Sequence, residues 1–293
     1  MAAARGRVLV LALDFDRTLT AADTLSAVAA TVKRKHPDKC DFQWFTDRYM
    51  TDYYAHESQW QPRIEELAPD NPSAARDLLD QYLESFRAVE EASLRRVSAR
   101  RVLEGVTREE LATGGRQIQF QPGATAAVSR LLNMPSCHVA IVSANWSEDF
   151  IRGTLVANGI QANAGGIQVF CNNPEFCSKT GLSSGTVRPR IVVASDKVRT
   201  MQKIKDDIAS KHGEELAVVY AGDSLTDLPA LLRADLGLLI GHDAAVVKWC
   251  SLLGLDIGGA NTASDASACG LRWFQSWDAA TKAIDHFAKR ASS

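Results

Sequence analysis

The sequence predicts an α/β protein, with a Rossmann-like parallel sheet that carries helices on both faces and an inserted block of helices. The first observation is Val8–Leu13, an apolar run without polar alternation, which is typical of a strand buried on both faces. The second is the alternation of strand-like and helix-like segments from about residue 120 onward, which favours a parallel sheet between helices. The third is that residues 22–115 contain no strand-like run.

Helical spacing dominates residues 22–115. Apolar side chains recur three or four positions apart, as in Leu78, Leu79, Tyr82, Leu83 and Phe86. Residues 70–74, Asp-Asn-Pro-Ser-Ala, predict a turn and then the start of a helix. Because this segment separates the first strand from all later ones, we predict a core of residues 1–21 and 116–293 and a helical domain of residues 22–115.

The second part of the chain is predicted to alternate strands and helices. Strands are expected at residues 139–142, 166–170, 185–193, 216–220 and 236–240, with the second and third short and hairpin-like. Helices are expected from Ser147 to about Asn158, from Ser195 to about Lys211, and from Leu225 to Arg233. Ser147 is a favourable N-cap, and Gly159 is a favourable residue to end the helix.

The composition argues against several classes of partner. Of 293 residues, 46% are hydrophobic and 23% are charged, and the formal net charge is −2. A charge so close to zero gives no reason to expect nucleic acid or a membrane surface as partner. The apolar runs are too short to cross a bilayer, and the N-terminus leads directly into Asp14 rather than into a secretory signal. We expect a soluble cytoplasmic protein that acts on a small metabolite; the sequence leaves its oligomeric state open.

The cysteines and histidines show no metal-binding pattern. Six cysteines lack C-x-x-C spacing, so free thiols in a reducing compartment are expected. Cys171 and Cys177 flank a turn-rich segment, where a disulfide or a metal site is the less favoured alternative. None of the histidines is assigned to a metal: His36, His56, His138, His212, His242 and His286.

Four short motifs occur in one order along the chain, and three of them follow buried strands. They are Asp14-Phe-Asp16-Arg-Thr18, Ser143-Ala144-Asn145, Lys197, and Gly222-Asp223-Ser-Leu-Thr-Asp227. Carboxylates at the carboxyl end of a parallel strand lie at the crevice where open α/β sheets bind ligands. One D-x-D-x-T alone is more often structural, but this combination favours an active site.

The residue types suit phosphoryl transfer, which needs an attacking atom, neutralised phosphoryl oxygens and a proton for the leaving group. Asp14 is the predicted nucleophile, and it would form an aspartyl-phosphate intermediate. Asp16 is the predicted general acid for the leaving group and afterwards the base for water. Phosphoryl oxygens would be bound by the hydroxyls of Thr18 and Ser143, the backbone N–H of Ala144 and the ammonium group of Lys197. Lys203 and Lys205 lie nearby as alternatives to Lys197, whose place at the start of a helix favours it.

The same acidic residues predict a Mg²⁺ site, because Mg²⁺ prefers oxygen ligands and keeps several waters. The predicted ligands are the carboxylates of Asp14 and Asp223 and the main-chain carbonyl of Asp16. Asp227 would bind the metal or orient its waters, and an acid at this place also suits the positive end of a helix dipole.

The order and context of the motifs resemble the haloacid dehalogenase (HAD) superfamily of phosphohydrolases, over nearly the whole chain. Its pattern is D-x-D-x-T, a strand ending in Ser or Thr, a Lys, and a strand followed by G-D-x-x-x-D, and all four parts are present. The resemblance implies that residues 22–115 form a small cap that closes over the substrate. It also implies a phosphatase, since true dehalogenases lack an acid at the position of Asp16.

A narrower resemblance concerns the following segments: Asp14–Thr24, Trp44 followed by Tyr49 and Tyr53-Tyr54, Ser143–Ser147, and Gly222–Leu228 with Ala234–Gly237. These segments look like the HAD domain of plant thiamin monophosphate phosphatases and related fungal proteins. The resemblance implies thiamin monophosphate as the first candidate substrate. The alternatives are a broad-range phosphatase for metabolites or nucleotides, and a non-catalytic protein that binds a phosphate ligand.

Five further residues are candidates for substrate contact, each with a structural alternative: Asp23, Trp44, Tyr49, Asn145 and Trp146. Asp23 could instead cap a helix. The aromatic residues Trp44 and Tyr49, with Phe45 and Tyr53, have near-helical spacing and could simply form the interior of the helical domain. In the functional alternative, one or two rings stack against an aromatic or cationic leaving group. Asn145 and Trp146 could line the pocket or merely open the following helix.

Overall fold

The computed structural model describes residues 7–33, 41–67, 71–134, 136–160, 166–212, 215–257 and 270–291. Its strands are β1 (Val8–Leu13), β2 (Cys137–Val142), β3 (Gln168–Phe170), β4 (Asn173–Phe176), β5 (Ser183–Arg188), β6 (Leu216–Gly222), β7 (Leu236–Ile240) and β8 (Leu271–Phe274). The helices of the first half are α1 (Leu25–Lys33), α2 (Phe42–Glu65), α3 (Pro72–Ser85), α4 (Arg87–Ala99), α5 (Arg108–Gly115) and α6 (Ala124–Leu132). Those of the second half are α7 (Glu148–Ala157), α8 (Ala194–His212), α9 (Leu228–Leu231), α10 (Ala244–Leu252) and α11 (Trp277–Ala291).

Six strands form one parallel sheet in the order β3-β2-β1-β6-β7-β8, which confirms the predicted α/β fold. Strand β1 is buried along its whole length, as its unbroken apolar run predicts. Leu13 at its end lies opposite Ile141 of β2 and Ala221 of β6. The carboxyl ends of these three strands therefore meet at one edge of the sheet.

Three of the predicted elements differ from those that the described residues form. Strand β3 joins the main sheet, and the hairpin is formed by β4 and β5 instead. The strand predicted at 185–193 ends at Arg188. The helix predicted from Leu225 shrinks to the four residues of α9, because the carboxylate of Asp227 accepts hydrogen bonds from Ser224 and so stabilises a turn before the helix.

Apolar side chains pack on both faces of the sheet. One cluster includes Val10, Val142 and Tyr220, and the cluster on the opposite face includes Leu11, Ile141 and Trp277. Trp277 is fully buried, and its indole N–H donates to the carbonyl oxygen of Thr18 at 2.8 Å. The core thus reaches to the loop that follows β1.

Helices α1 to α5 occupy the predicted insertion, and no strand of the described residues falls within it. Asn71 caps α3 by accepting from the N–H of Ala74 at 3.1 Å, as the predicted helix start requires. Helix α5 packs closely on α7, since a Cβ at Gly153 would collide with the carbonyl oxygen of Ala112. The division into a core and a cap stays a prediction.

Four cysteines within the described residues are free thiols, namely Cys137, Cys171, Cys177 and Cys250. The alternative of a disulfide between Cys171 and Cys177 is therefore wrong. Cys40, Cys269 and His36 lie outside the described residues. Within the described ranges, no helix has the length and apolarity needed to cross a membrane.

Candidate active site

Three neighbouring strands bring the first, second and fourth motifs together. Asp14 follows β1, Ser143 follows β2 and Asp223 follows β6. The N–H of Asp14 donates to the carbonyl oxygen of Ala221, and the N–H of Ser143 to that of Phe170, both at 2.9 Å. These backbone bonds continue the sheet one residue past each strand. They fix the directions of the two side chains at the crevice.

Lys197 lies in the first turn of α8 and joins the site through two buried ion pairs. Its Nζ donates to Asp14 Oδ1 at 2.9 Å and to Asp227 Oδ1 at 2.7 Å. The relative exposures of Asp14, Lys197 and Asp227 are 5%, 5% and 0%. Burial alone would lower the pKa of Lys197, but the two carboxylates outweigh it and raise that pKa. The ammonium group therefore stays charged, and neither Lys203 nor Lys205 takes part in these ion pairs.

Asp227 is held by three side chains. Besides Lys197, the hydroxyl of Tyr220 donates to its Oδ1 at 2.8 Å, and the hydroxyl of Ser224 donates to its Oδ2 at 2.9 Å. Tyr220 lies on β6 and is fully buried. Tyr220 was not predicted as a site residue. A hydroxyl-bearing side chain inside an otherwise apolar strand was the feature of the sequence that could have indicated it.

The carboxylates of Asp14, Asp223 and Asp227 form an acidic cluster whose oxygens lie within 4.8 Å of one another. The hydroxyl of Thr18 lies between two of them, 3.2 Å from Asp14 Oδ2 and 3.3 Å from Asp223 Oδ1. Burial, and then the charge of Asp227, raise the pKa of Asp223 to about 7. Hard oxygen donors that converge in this way suit a cation such as Mg²⁺, so the residues present fit the predicted metal.

Asp16 has a different environment from Asp14, although the two are only two residues apart. Its Oδ1 accepts from the N–H of Thr24 at 2.9 Å and from the hydroxyl of Thr24 at 2.5 Å. Its Oδ2 lies 3.4 Å from the amide nitrogen Nδ2 of Asn145. Burial raises the pKa of Asp16 to about 6, an effect that the bonds from Thr24 and Asn145 limit. A carboxyl group with such a pKa can carry a proton near neutral pH.

Asparagine side chains organise the second motif. Asn145 is buried, and its Nδ2 also donates to the hydroxyl of Thr24 at 2.9 Å. The backbone N–H of Asn145 donates to the hydroxyl oxygen of Ser143 at 3.1 Å. The amide of Asn172 donates to the carbonyl oxygen of Ala144 at 2.9 Å. Asn172 and Thr24 were not predicted, because their bonds to Ala144 and Asn145 form only when separate segments of the chain pack together.

The other predicted substrate residues are dispersed. Asp23 is exposed, and its carboxylate accepts from the N–H of Leu25 at the start of α1. The ring of Trp44 faces the guanidinium group of Arg100 at 3.7 Å. Trp146 is buried in an apolar cluster between the insertion and the core. Neither tryptophan lines the cleft described next.

A cleft lies between the insertion and the core. Its lining from the insertion is Tyr49, Tyr53, Tyr82, Leu83, Phe86 and Glu90, and its lining from the core is Val192, Val193, Ala194, Leu225 and Thr226. Leu225 and Thr226 lie in the fourth motif, between Asp223 and Asp227. The lining of the cleft therefore includes part of the fourth motif, and Tyr49 is the predicted aromatic residue that lines the cleft.

The chain matches the family model described as haloacid dehalogenase-like hydrolase over residues 11–232. This match covers most of the chain and all four motifs. The chain therefore belongs to this hydrolase family, which confirms the predicted HAD resemblance and the prediction that the protein is an enzyme.

Relatives from fungi and a plant agree with the narrower resemblance. Cold tolerance protein 1 of Saccharomyces cerevisiae is 25% identical over 247 residues, which cover 76% of this chain and 75% of the yeast protein. The mitochondrial bifunctional TH2 protein of Arabidopsis thaliana is 24% identical over 176 residues, 59% of this chain but 28% of the plant protein. The similarity to the plant protein thus concerns one part of a longer chain.

Among solved structures, an unliganded probable phosphoserine phosphatase from Vibrio cholerae has a TM-score of 0.52 and 18% sequence identity. The similarity covers 84% of this chain and 64% of the bacterial chain. At this identity the likeness concerns the fold alone, and it agrees with the Rossmann-like sheet described above.

Proposed function

We propose that the protein is a phosphatase that hydrolyses a small phosphomonoester through an aspartyl-phosphate intermediate on Asp14. The observation that carries this proposal is the joining of Asp14, Lys197 and Asp227 by buried ion pairs beside a second carboxyl group, Asp16, with its own hydrogen bonds. A nucleophile, a fixed cation and a separate acid are the groups that phosphoryl transfer needs.

In the first step, an oxygen of Asp14 attacks phosphorus, and the bond between phosphorus and the leaving oxygen breaks. Asp16 gives its proton to that oxygen, so the product leaves as an alcohol. Lys197 holds the attacking carboxylate in place and offsets negative charge on the phosphoryl oxygens, which Thr18, Ser143 and the N–H of Ala144 would also bind.

In the second step, Asp16 is a carboxylate and acts as a base. It takes a proton from a water molecule whose oxygen attacks phosphorus, and the bond from phosphorus to Asp14 breaks. Inorganic phosphate is released, and both aspartates return to their initial states. The pKa of Asp16, which burial raises to about 6, suits a group that must both give and take a proton.

Asp14, Asp223 and the main-chain carbonyl of Asp16 would hold Mg²⁺, with Asp227 as a further ligand or as an acceptor for metal-bound water. When bound, the metal would supply charge neutralisation to the phosphoryl group. The fit rests on the acidic cluster of Asp14, Asp223 and Asp227, of which Asp14 and Asp227 pair with Lys197.

Helices of residues 22–115 would act as the cap, over a core of residues 1–21 and 116–293. The cleft supports this division, because one wall comes from α2 to α4 and the other from the core. A cap that closes would exclude bulk water during transfer to Asp14.

Thiamin monophosphate is the first candidate substrate. The supporting observations are the similarity to the plant TH2 protein and the aromatic residues that line the cleft. A broad-range phosphatase for metabolites or nucleotides is the second candidate, since the catalytic groups act on the phosphoryl end that all such esters share. The cytoplasmic location expected from the sequence stays a prediction.

The test is phosphate release from a panel of phosphomonoesters, with Mg²⁺ and with a chelator, by the wild-type protein and by Asp14→Asn. We expect turnover that requires the metal and that falls by roughly 10³-fold or more in the variant, because the variant lacks the nucleophile. Trapping of ³²P on the protein from a labelled substrate, lost in Asp14→Asn, would identify the intermediate. Turnover that survives Asp14→Asn, or absence of turnover across the panel, would overturn the proposal.

A further inference from the structure

The side of the cleft that the insertion forms carries a carboxylate without a cationic partner. Glu90 projects from α4 into the lining and accepts a hydrogen bond from the hydroxyl of Tyr49 at 2.7 Å. No lysine, arginine or histidine of the described residues forms an ion pair with it, and none lines the cleft. A carboxylate that is partly desolvated without a countercharge is unfavourable. The described residues therefore leave the desolvation cost of Glu90 without a compensating cation.

Glu90 also breaks the pattern of its own helix. It lies four residues after Phe86 and four before Leu94, in the stripe of α4 that faces inward. Burial raises the pKa of Glu90, and the bond from Tyr49 offsets this only in part. An apolar residue at this position would avoid the cost of desolvation. A ligand that brings a positive charge would offset the same cost.

Aromatic rings surround this carboxylate on one side. The centroids of Tyr53 and Phe86 are 5.3 Å apart with an interplanar angle of 31°, and those of Tyr49 and Tyr53 are 6.1 Å apart at 36°. All three of these residues line the cleft. A cation near the face of an aromatic ring is attracted by the negative charge of the ring's π system.

The side of the cleft that the insertion forms has a negative electrostatic character. Burial, Glu90 and then Asp23 raise the pKa of Tyr49, and Glu57 and Asp243 act in the same direction on Tyr53 after burial. Among the residues that line the cleft, none is basic and could offset these charges. A cationic alcohol complements this wall.

We propose that Glu90, with the rings of Tyr49, Tyr53 and Phe86, forms a subsite for a positively charged leaving group, so that the enzyme selects phosphate monoesters of cationic alcohols. The inference rests on the proposed phosphatase function and narrows its substrate class. Esters whose alcohol carries a carboxylate or a further phosphate would place a second negative charge beside Glu90 and be disfavoured.

The first test compares kcat/KM of the wild-type enzyme for two leaving groups of the same shape and different charge: phosphocholine and 3,3-dimethylbutyl phosphate. The quaternary nitrogen of the first is replaced by carbon in the second. We expect about tenfold or greater preference for the cationic ester, the size of a partly desolvated cation–π and charge contact. Equal kcat/KM values for the two esters would overturn the inference. Because this test uses only the wild-type enzyme, it does not depend on the folding of a variant.

The second test uses Glu90→Gln, which keeps the side-chain shape and an oxygen that can accept from Tyr49. We expect kcat/KM for phosphocholine and for thiamin monophosphate to fall about tenfold. The value for p-nitrophenyl phosphate, whose leaving group has no positive charge, should stay within about twofold. The matched control is Glu91→Gln, the next residue on α4, whose carboxylate pairs with Arg95 and does not line the cleft. Equal losses for charged and uncharged substrates, or no loss for either, would overturn the inference.

A binding measurement separates failure of the inference from failure of the proposed function. Turnover of p-nitrophenyl phosphate by the wild-type enzyme tests the phosphatase function alone. Calorimetric titration with thiamin, which has no phosphate, tests the subsite without turnover. We expect binding by the wild type and by Glu91→Gln, and about tenfold weaker binding by Glu90→Gln. Equal affinity for all three proteins would refute the subsite even if the enzyme is a phosphatase.

Discussion

The acidic cluster in the core and the α4 wall of the cleft differ in how their buried charges are paired. On the core side, Lys197 pairs with Asp14 and Asp227, and further hydroxyl groups complete the hydrogen bonds of the aspartates. On the α4 side, Glu90 has a single hydrogen bond from Tyr49 and no ion pair within the described residues. A network with paired charges holds its geometry without a ligand, whereas an unpaired carboxylate gains stability when a cation arrives. This difference suits a catalytic site of fixed geometry in the core and a surface on α4 that selects the substrate.

The largest effect is expected on the core side, for Asp16→Asn. The variant keeps an oxygen that can accept from Thr24, loses the acceptor for Asn145 and cannot give a proton, so kcat should fall by about 10²- to 10⁴-fold for alkyl phosphates. The loss should be much smaller for p-nitrophenyl phosphate, because nitrophenolate leaves without a proton. The measurement is kcat for both substrates, with the exposed Asp206→Asn as control. Equal losses of kcat for the two substrates would show that Asp16 is not the general acid.

A second prediction concerns the close contact between α5 of the insertion and α7. At Gly153→Ala, the new methyl group would collide with the carbonyl oxygen of Ala112, so α5 and α7 must move apart. We expect a loss of about 1–3 kcal/mol in the free energy of unfolding, with unchanged preference between cationic and neutral substrates. Urea denaturation measures the loss, and Val156→Ala on the exposed face of α7 is the control. An unchanged free energy of unfolding in Gly153→Ala would show that α5 and α7 can accommodate a methyl group at this contact.

The smallest effect is expected on the α4 side, in the pH dependence of stability. Burial raises the folded-state pKa of Glu90 above its ordinary value of 4.5. The stability that the neutral carboxyl group contributes is fully present below the unfolded pKa, and it is lost as pH rises through the folded pKa. Glu90→Gln cannot ionise. The variant should therefore gain stability relative to wild type as pH rises from about 5 to about 8.

Urea denaturation of both proteins across that range checks the sign of this difference. Addition of thiamin should diminish it at the upper pH, because a bound cation compensates the charged Glu90. A stability difference that stays constant with pH would mean that the environment of Glu90 does not disfavour its charged form.

Much of the core side could be predicted from the sequence, because its signals are local. An apolar run that ends in Asp14 already indicates a buried strand and a carboxylate at its end, and Ser143 and Asp223 repeat that arrangement. The sheet then brings the three strand ends together without further information. Lys197 was favoured over Lys203 and Lys205 by its place at a helix start, and it is the lysine that pairs with Asp14.

The α4 side could not be predicted in the same way. The aromatic spacing placed Trp44 and Tyr49 on one helix, yet only Tyr49 lines the cleft. The face of α2 that meets the core depends on how α3 and α4 pack against it. Glu90 was overlooked because a single acid in a helix is ordinarily solvated, and its position in the inward stripe gains meaning only beside Tyr49 and Phe86.

The sequence by itself determined the fold class, the family and the ends of the strands that carry the catalytic groups, because apolar runs and neighbouring motif residues are properties of the local chain. Only the tertiary structure decided which groups pair: Tyr220 with Asp227, Thr24 with Asp16, and Tyr49 with Glu90. The bonds of Asp227 and Asp16 depend on turns of the nearby chain. The bond of Glu90 and the ion pairs of Lys197 depend on the packing of separate elements. The charge that remains unpaired at Glu90 is likewise a property of the assembled cleft.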